Sequence, residues 1–121
     1  MKVTGLNPTI QVHDLNAAAE FYSSLGFKLE WLWPDADPSH GSVSSNGFAF
    51  MFAKIEKGRK PEIADLYFRV ENVEELYEEI KSKGIKVSEL VKTYYGMLDF
   101  SITDPFGHHL VFGEPSGEYQ G

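Results

Sequence analysis

Residues 7–14, "NPTIQVHD", alternate between apolar and polar. On an extended strand Pro8, Ile10 and Val12 would point one way, and Asn7, Thr9 and Gln11 the other. The period then changes. Leu15, Ala18, Ala19, Tyr22 and Leu25 recur at helical spacing, with Asp14 placed to cap the helix and Gly26 to end it. "KLEWLW" follows as an extended segment, and "GSVSSNGFAFMFA" reads as strand, Asn-Gly turn, strand.

The chain then runs the same programme again. A shift of 58 positions lays "IQVHDLNAAAEFYSSLGFKL" over "FRVENVEELYEEIKSKGIKV" without a gap, so Val12 falls on Val70, Asp14 on Asn72 and Gly26 on Gly84. In the second copy Asn72 and Glu75 have capping-box spacing, and Val73, Leu76, Tyr77 and Ile80 make the apolar stripe. Glu74, Glu75, Glu78 and Glu79 form its solvated face. "KVSELV" is the second extended segment, and "LDFSITDPFGHHLVFG" reads as strand, Asp-Pro-Phe-Gly turn, strand.

The pattern predicts an α+β fold of tandem βαβββ modules. Module one covers about residues 3–55 and module two about 64–115, with the polar stretch "EKGRKPEIA" linking them near 56–63, all within one domain over 1–121. A pseudo-twofold relation would set two curved mixed sheets around a cup, with the helices outside.

The alternation assigns faces as well. Pro8, Ile10, Val12, Phe48, Phe50, Phe52, Leu66, Phe68, Val70, Leu110 and Phe112 belong to the helix side. The opposite side carries Asn7, Thr9, Gln11, Ala49, Met51, Ala53, Asp65, Tyr67, Arg69, His109, Val111 and Gly113. That mixture of polar and small residues suits the wall of a cavity better than a plain solvated surface.

Composition narrows the possibilities. A chain of 121 residues that is 42% hydrophobic and 14% aromatic can bury a core unaided. The absence of cysteine excludes a disulfide frame, a thiolate zinc site and a thiol nucleophile, and fits a cytoplasmic protein. The longest apolar run, Phe48 to Ala53, is too short to cross a bilayer, and "MKVTGLNPTIQV" lacks the apolar block of an export signal. A formal net charge of −7 argues against nucleic acid and leaves room for a cationic ligand.

With "VHDLNAAAEFYSSLGF" at the front and "DPFGHHLVF" at the back, the doubled module resembles the vicinal oxygen chelate superfamily over roughly residues 3–115. That superfamily includes glyoxalases, extradiol dioxygenases, fosfomycin-resistance transferases and bleomycin-resistance proteins. In its metal-using members the ligands occupy four equivalent positions, which here correspond to Asn7, Met51, Asp65 and Val111. Valine offers no donor and methionine a soft, weak one, so this set does not make a divalent site. His108 and His109 are adjacent on a strand and face opposite ways, which fits a turn and strand start. His13 and His40 are expected in turn or loop. Ser44, Ser45, Ser101 and Ser116 have no base placed beside them by any motif. No catalytic residue, metal or cofactor is expected.

The pattern is most similar to the metal-free bleomycin-resistance branch, where Tyr94, Tyr95 and Gly96 match an aromatic-glycine spacing. The resemblance implies a homodimer, in which the N-terminal strand can be exchanged between subunits, and a small-molecule ligand held without catalysis. A cationic, aromatic, drug-like ligand wants aromatic walls and carboxylates. The expected ligand-binding residues are therefore Asn7, Thr9, Trp31, Trp33, Met51, Asp65, Tyr67, Tyr95, His109 and Val111, with Asp35 and Asp37 near the tryptophans. Core or interface packing is the competing role for the tryptophans, and an ion pair with Arg69 for Asp65. The alternative function is a glyoxalase- or dioxygenase-like enzyme, a lyase or isomerase acting on a small oxo-compound.

Overall fold

A computed structural model describes residues 1–117. The chain divides into two compact units, Met1–Ile63 and a second beginning at Ala64. In the first, β1 (Thr9–Val12), α1 (Leu15–Ser24), β2 (Lys28–Trp33), β3 (His40–Ser45) and β4 (Phe48–Lys54) follow one another. The second repeats the order with β5 (Asp65–Arg69), α2 (Val73–Ser82), β6 (Val91–Lys92), β7 (Met97–Thr103) and β8 (His109–Pro115). Each unit holds one four-stranded mixed sheet, ordered β1-β4-β3-β2 and β5-β8-β7-β6. In each the first strand lies parallel to the last and the remaining pairs are antiparallel. Among the described residues no helix is long and apolar enough to cross a membrane.

In the first unit the Asp14 carboxylate accepts the Ala17 N–H at 3.0 Å and caps α1. The helix buries Leu15, Ala18, Ala19 and Tyr22. Ile10, Val12, Val43, Phe50 and Phe52 are also buried there, and the Tyr22 ring lies 5.2 Å from Phe50 and 5.3 Å from Phe52. Asn46 and Gly47 both have positive φ, as a two-residue hairpin turn of this hand requires. Phe48, assigned by alternation to the helix side, is instead 78% exposed. It begins β4 directly after that turn, where alternation no longer guarantees cover. The linker stretch is tied to the end of β1: Gln11 Oε1 accepts the Glu62 N–H at 2.8 Å, and the His13 ring bonds the Arg59 carbonyl at 2.6 Å.

The second unit packs Phe100, Ile102, Leu110 and Phe112 together with Val73 and Ile80 of α2. Its rings are stacked, with Phe68 5.1 Å and Phe100 5.5 Å from Phe112. Two expectations are corrected here. The Asn72–Glu75 capping box does not form: Asn72 is left-handed (φ 56°) and its side chain makes no cap bond. The Glu114 carboxylate, on β8, accepts the Asn72 and Val73 N–H groups at 3.1 Å each and caps α2 from outside the helix. "KVSELV" forms a strand only at its last residue, Val91. Its place beside β7 is held by Ser88, whose N–H donates to the Ser101 carbonyl at 2.9 Å and whose hydroxyl accepts the Ser101 N–H at 2.8 Å.

Candidate functional site

Strand register builds the face of each sheet opposite its helix. In the second unit, cross-strand partners make three rows: Asp65–His109–Thr103, Tyr67–Val111–Ser101, and Arg69–Gly113–Asp99–Val91. Paired residues share a face, so Asp65, Tyr67, His109 and Val111 lie on one side of the sheet. An open groove of about 430 Å³ runs over this face, lined by Tyr67, His109, Val111, Asp99, Ser101 and Phe100 with Ser88, Glu89, Val91 and Tyr95.

Asp99 is its centre. The Tyr67 and Tyr95 hydroxyls both donate to Asp99 Oδ2 at 3.0 Å. Tyr67 starts on β5 and must pass over β8 to reach β7, roughly two strand spacings of about 4.8 Å each. Gly113 on β8 leaves that path open: a Cβ there would collide with the Tyr67 hydroxyl and lie 2.9 Å from Asp99 Cβ. Tyr95 arrives from the β6–β7 turn, where the Thr93 hydroxyl accepts the Met97 N–H at 3.0 Å and Gly96 takes a positive φ.

Burial, then the hydrogen bond and charge of Asp99, push the Tyr67 phenol well above its ordinary range. For Tyr95 the hydrogen bond to Asp99 is the main upward cause and burial the second, with Thr93 opposing them. Both phenols are therefore protonated donors at neutral pH. Asp99 was missing from the sequence-derived site, although alternation in "MLDFSIT" already placed it with Ser101, opposite Phe100 and Ile102.

Asp65 bonds the His109 Nδ1 at 2.8 Å, and this contact, rather than an ion pair with Arg69, engages its carboxylate. His108 faces the other way and is fully buried, with its Nδ1 accepting the Ala64 N–H at 3.0 Å and its own N–H bound to Asp104. It serves the Asp-Pro-Phe-Gly turn.

In the first unit the register aligns Thr9–Met51–Ser42–Trp31 and Gln11–Ala53–His40–Trp33 as neighbouring rows on one face. A shallow groove of about 520 Å³ at one edge is lined by Trp31, Leu32, Trp33 and His40. Trp31 is 43% and Trp33 63% exposed, so neither packs in the core of its unit. His40, expected in a turn or loop, begins β3 and is Trp33's cross-strand partner, with ring centroids 6.4 Å apart. Ser39 Oγ holds its Nδ1 at 2.9 Å. Asp37 is paired with Lys54 at 3.0 Å. Thr9 and Met51 share the face but do not line the groove, and Asn7 lies ahead of β1. Ser44, expected without a base, donates to the Glu30 carboxylate on the neighbouring strand at 2.6 Å.

The donor set at Asn7, Met51, Asp65 and Val111, the positions the resemblance implies for metal ligands, does not suit a divalent ion. Val111 has no donor atom, Met51 offers a thioether, and the Asp65 carboxylate is already bonded to His109. Among the described residues no three His, Asp or Glu side chains are grouped to hold an ion.

No curated protein matches the chain at a significant level of sequence similarity. Solved structures do match it in fold. A bleomycin-binding protein complexed with bleomycin superposes with TM-score 0.76 at 20% identity, covering 93% of this chain and 98% of that one. The bleomycin resistance determinant encoded on transposon Tn5 gives 0.77 at 20% identity, covering 93% and 98%. TnmS3, an antibiotic binding protein from Streptomyces sp. CB03234, gives 0.77 at 19% identity, covering 96% and 100%. The two mixed sheets with one helix each are the fold these proteins share, and the family profile matches residues 5–112, so the chain belongs to the Glyoxalase/Bleomycin resistance protein/Dioxygenase superfamily.

Proposed function

We propose that this protein is a non-catalytic, homodimeric small-molecule binding protein that sequesters a cationic, aromatic, drug-like ligand. The observation that carries this reading is the second unit's groove, where Tyr67 and Tyr95 converge on the Asp99 carboxylate. Aromatic walls suit flat rings, and a carboxylate among them suits a cation. Trp31 and Trp33 add exposed flat surface, and the net charge of −7 draws positive ligands from a distance. The bleomycin- and antibiotic-binding proteins of the same fold support the ligand class. The poor donor set at the four metal positions supports binding without an ion or cofactor. Exposed Val3 and Leu6 ahead of β1 support an N-terminal segment that exchanges between subunits, and a cysteine-free sequence supports a cytoplasmic setting.

Calorimetric titration with bleomycin and other cationic glycopeptides tests the reading. A saturable heat with at least one of them is expected, and none across the panel rejects it. Sedimentation of the same samples is expected to show a dimer.

A further inference from the structure

Asp99 Oδ2 receives both phenol protons, and no described residue bonds Oδ1. Each phenol has spent its only proton on Asp99 and keeps lone pairs on its oxygen. The three side chains therefore turn acceptors toward the groove: the second carboxylate oxygen of Asp99 and the phenol oxygens, that of Tyr95 shared with Thr93, around a single negative charge. Glu89 also lines the groove. Arg69, in the same row as Asp99, makes no ion pair with it. A cation without N–H groups would gain Coulomb attraction and contact with the tyrosine ring faces, but no hydrogen bond. A flat cation with several N–H groups would in addition satisfy the free carboxylate and phenol oxygens.

We propose that the Asp99–Tyr67–Tyr95 cluster selects planar N–H-donating cations, amidinium and guanidinium groups or protonated amino-heteroaromatic rings, over quaternary ammonium. This deepens the functional reading above and rests on the same groove. Charge-assisted hydrogen bonds are shorter and about twice as strong as neutral ones, so removing the charge at Asp99 weakens this recognition more than removing one phenol does. The room left by Gly113 lets the Tyr67 hydroxyl reach Asp99, which makes the preference one of donor geometry as well as charge.

The test titrates the full chain with benzamidine and with phenyltrimethylammonium, two aryl cations that differ in N–H groups, followed by amide chemical shifts. Benzamidine is expected to saturate and to perturb residues near Asp99 and Ser101, at least tenfold more tightly than phenyltrimethylammonium. Asp99→Asn should weaken benzamidine by tenfold or more. Tyr95→Phe, at an exposed position and with the fold checked by circular dichroism, should weaken it about threefold and narrow its advantage over the quaternary cation. Equal binding of the two cations, no saturation with benzamidine, or benzamidine affinity untouched in both variants would overturn the assignment. Binding of a panel glycopeptide without benzamidine selectivity would sink this inference alone, whereas the selectivity with no binding across that panel would sink only drug sequestration.

Discussion

Gly113 is the residue on which the arrangement of Tyr67 turns. Any side chain there meets the Tyr67 hydroxyl, so Gly113→Ala must move the phenol off Asp99 or push β8 away from it. Such crowding typically costs 1–3 kcal/mol, and we expect a loss of about that size in urea unfolding. The phenols also report on Asp99 directly. Because the folded state raises both phenol pKa values, their contribution to stability is complete below the ordinary value near 10 and is lost as pH rises through the folded values. In Asp99→Ala the ultraviolet tyrosinate titration should show Tyr95 returning nearly to its ordinary range. Tyr67 should return only in part, because burial is the larger cause there. Equal shifts of the two would contradict that ranking. The sequence made Tyr67, His109 and Val111 legible through alternation, which needs only one strand at a time. Asp99 was equally legible by that rule, but its importance rests on a side chain reaching over two strand spacings, and only register reveals that.

At the scale of elements, the two helices separate local from non-local signals. Asp14 caps α1 from three residues away, so the sequence alone shows it. Glu114 caps α2 from a distance of 42 residues along the chain, and no local spacing rule could find it. We therefore expect Glu114→Ala to destabilise the protein by about 1 kcal/mol or somewhat more, while Glu75→Ala changes urea stability by only a few tenths. The reverse order would restore the capping box as the working cap. Asn72 is left-handed at this junction, a conformation asparagine tolerates better than most residues. The "KVSELV" segment failed as a strand for a related reason. Ser88 and Ser101 tie it to β7 instead of a ladder, so its place after the helix in the repeat overstated the pairing.

For the whole molecule, the duplicated pattern was the most informative signal, because one register shift set the order of elements in both units and the strand orders then matched. Charge acts at the same scale and yields a prediction distinct from the site chemistry. With a net charge of −7, the protein attracts a cationic ligand over distances comparable to the Debye length, about 10 Å at 0.1 M salt. That attraction speeds encounter without changing the contacts made once the ligand is seated. Raising sodium chloride from about 20 mM to about 200 mM should therefore slow association of a binding cationic ligand several-fold in stopped-flow fluorescence, while dissociation changes by less than about twofold. Asp99→Asn should do the opposite, chiefly accelerating dissociation, since it removes a contact within the groove. A salt effect carried mainly by dissociation would mean that the ligand is held by exposed charges on the rim, not by the carboxylate between the two phenols.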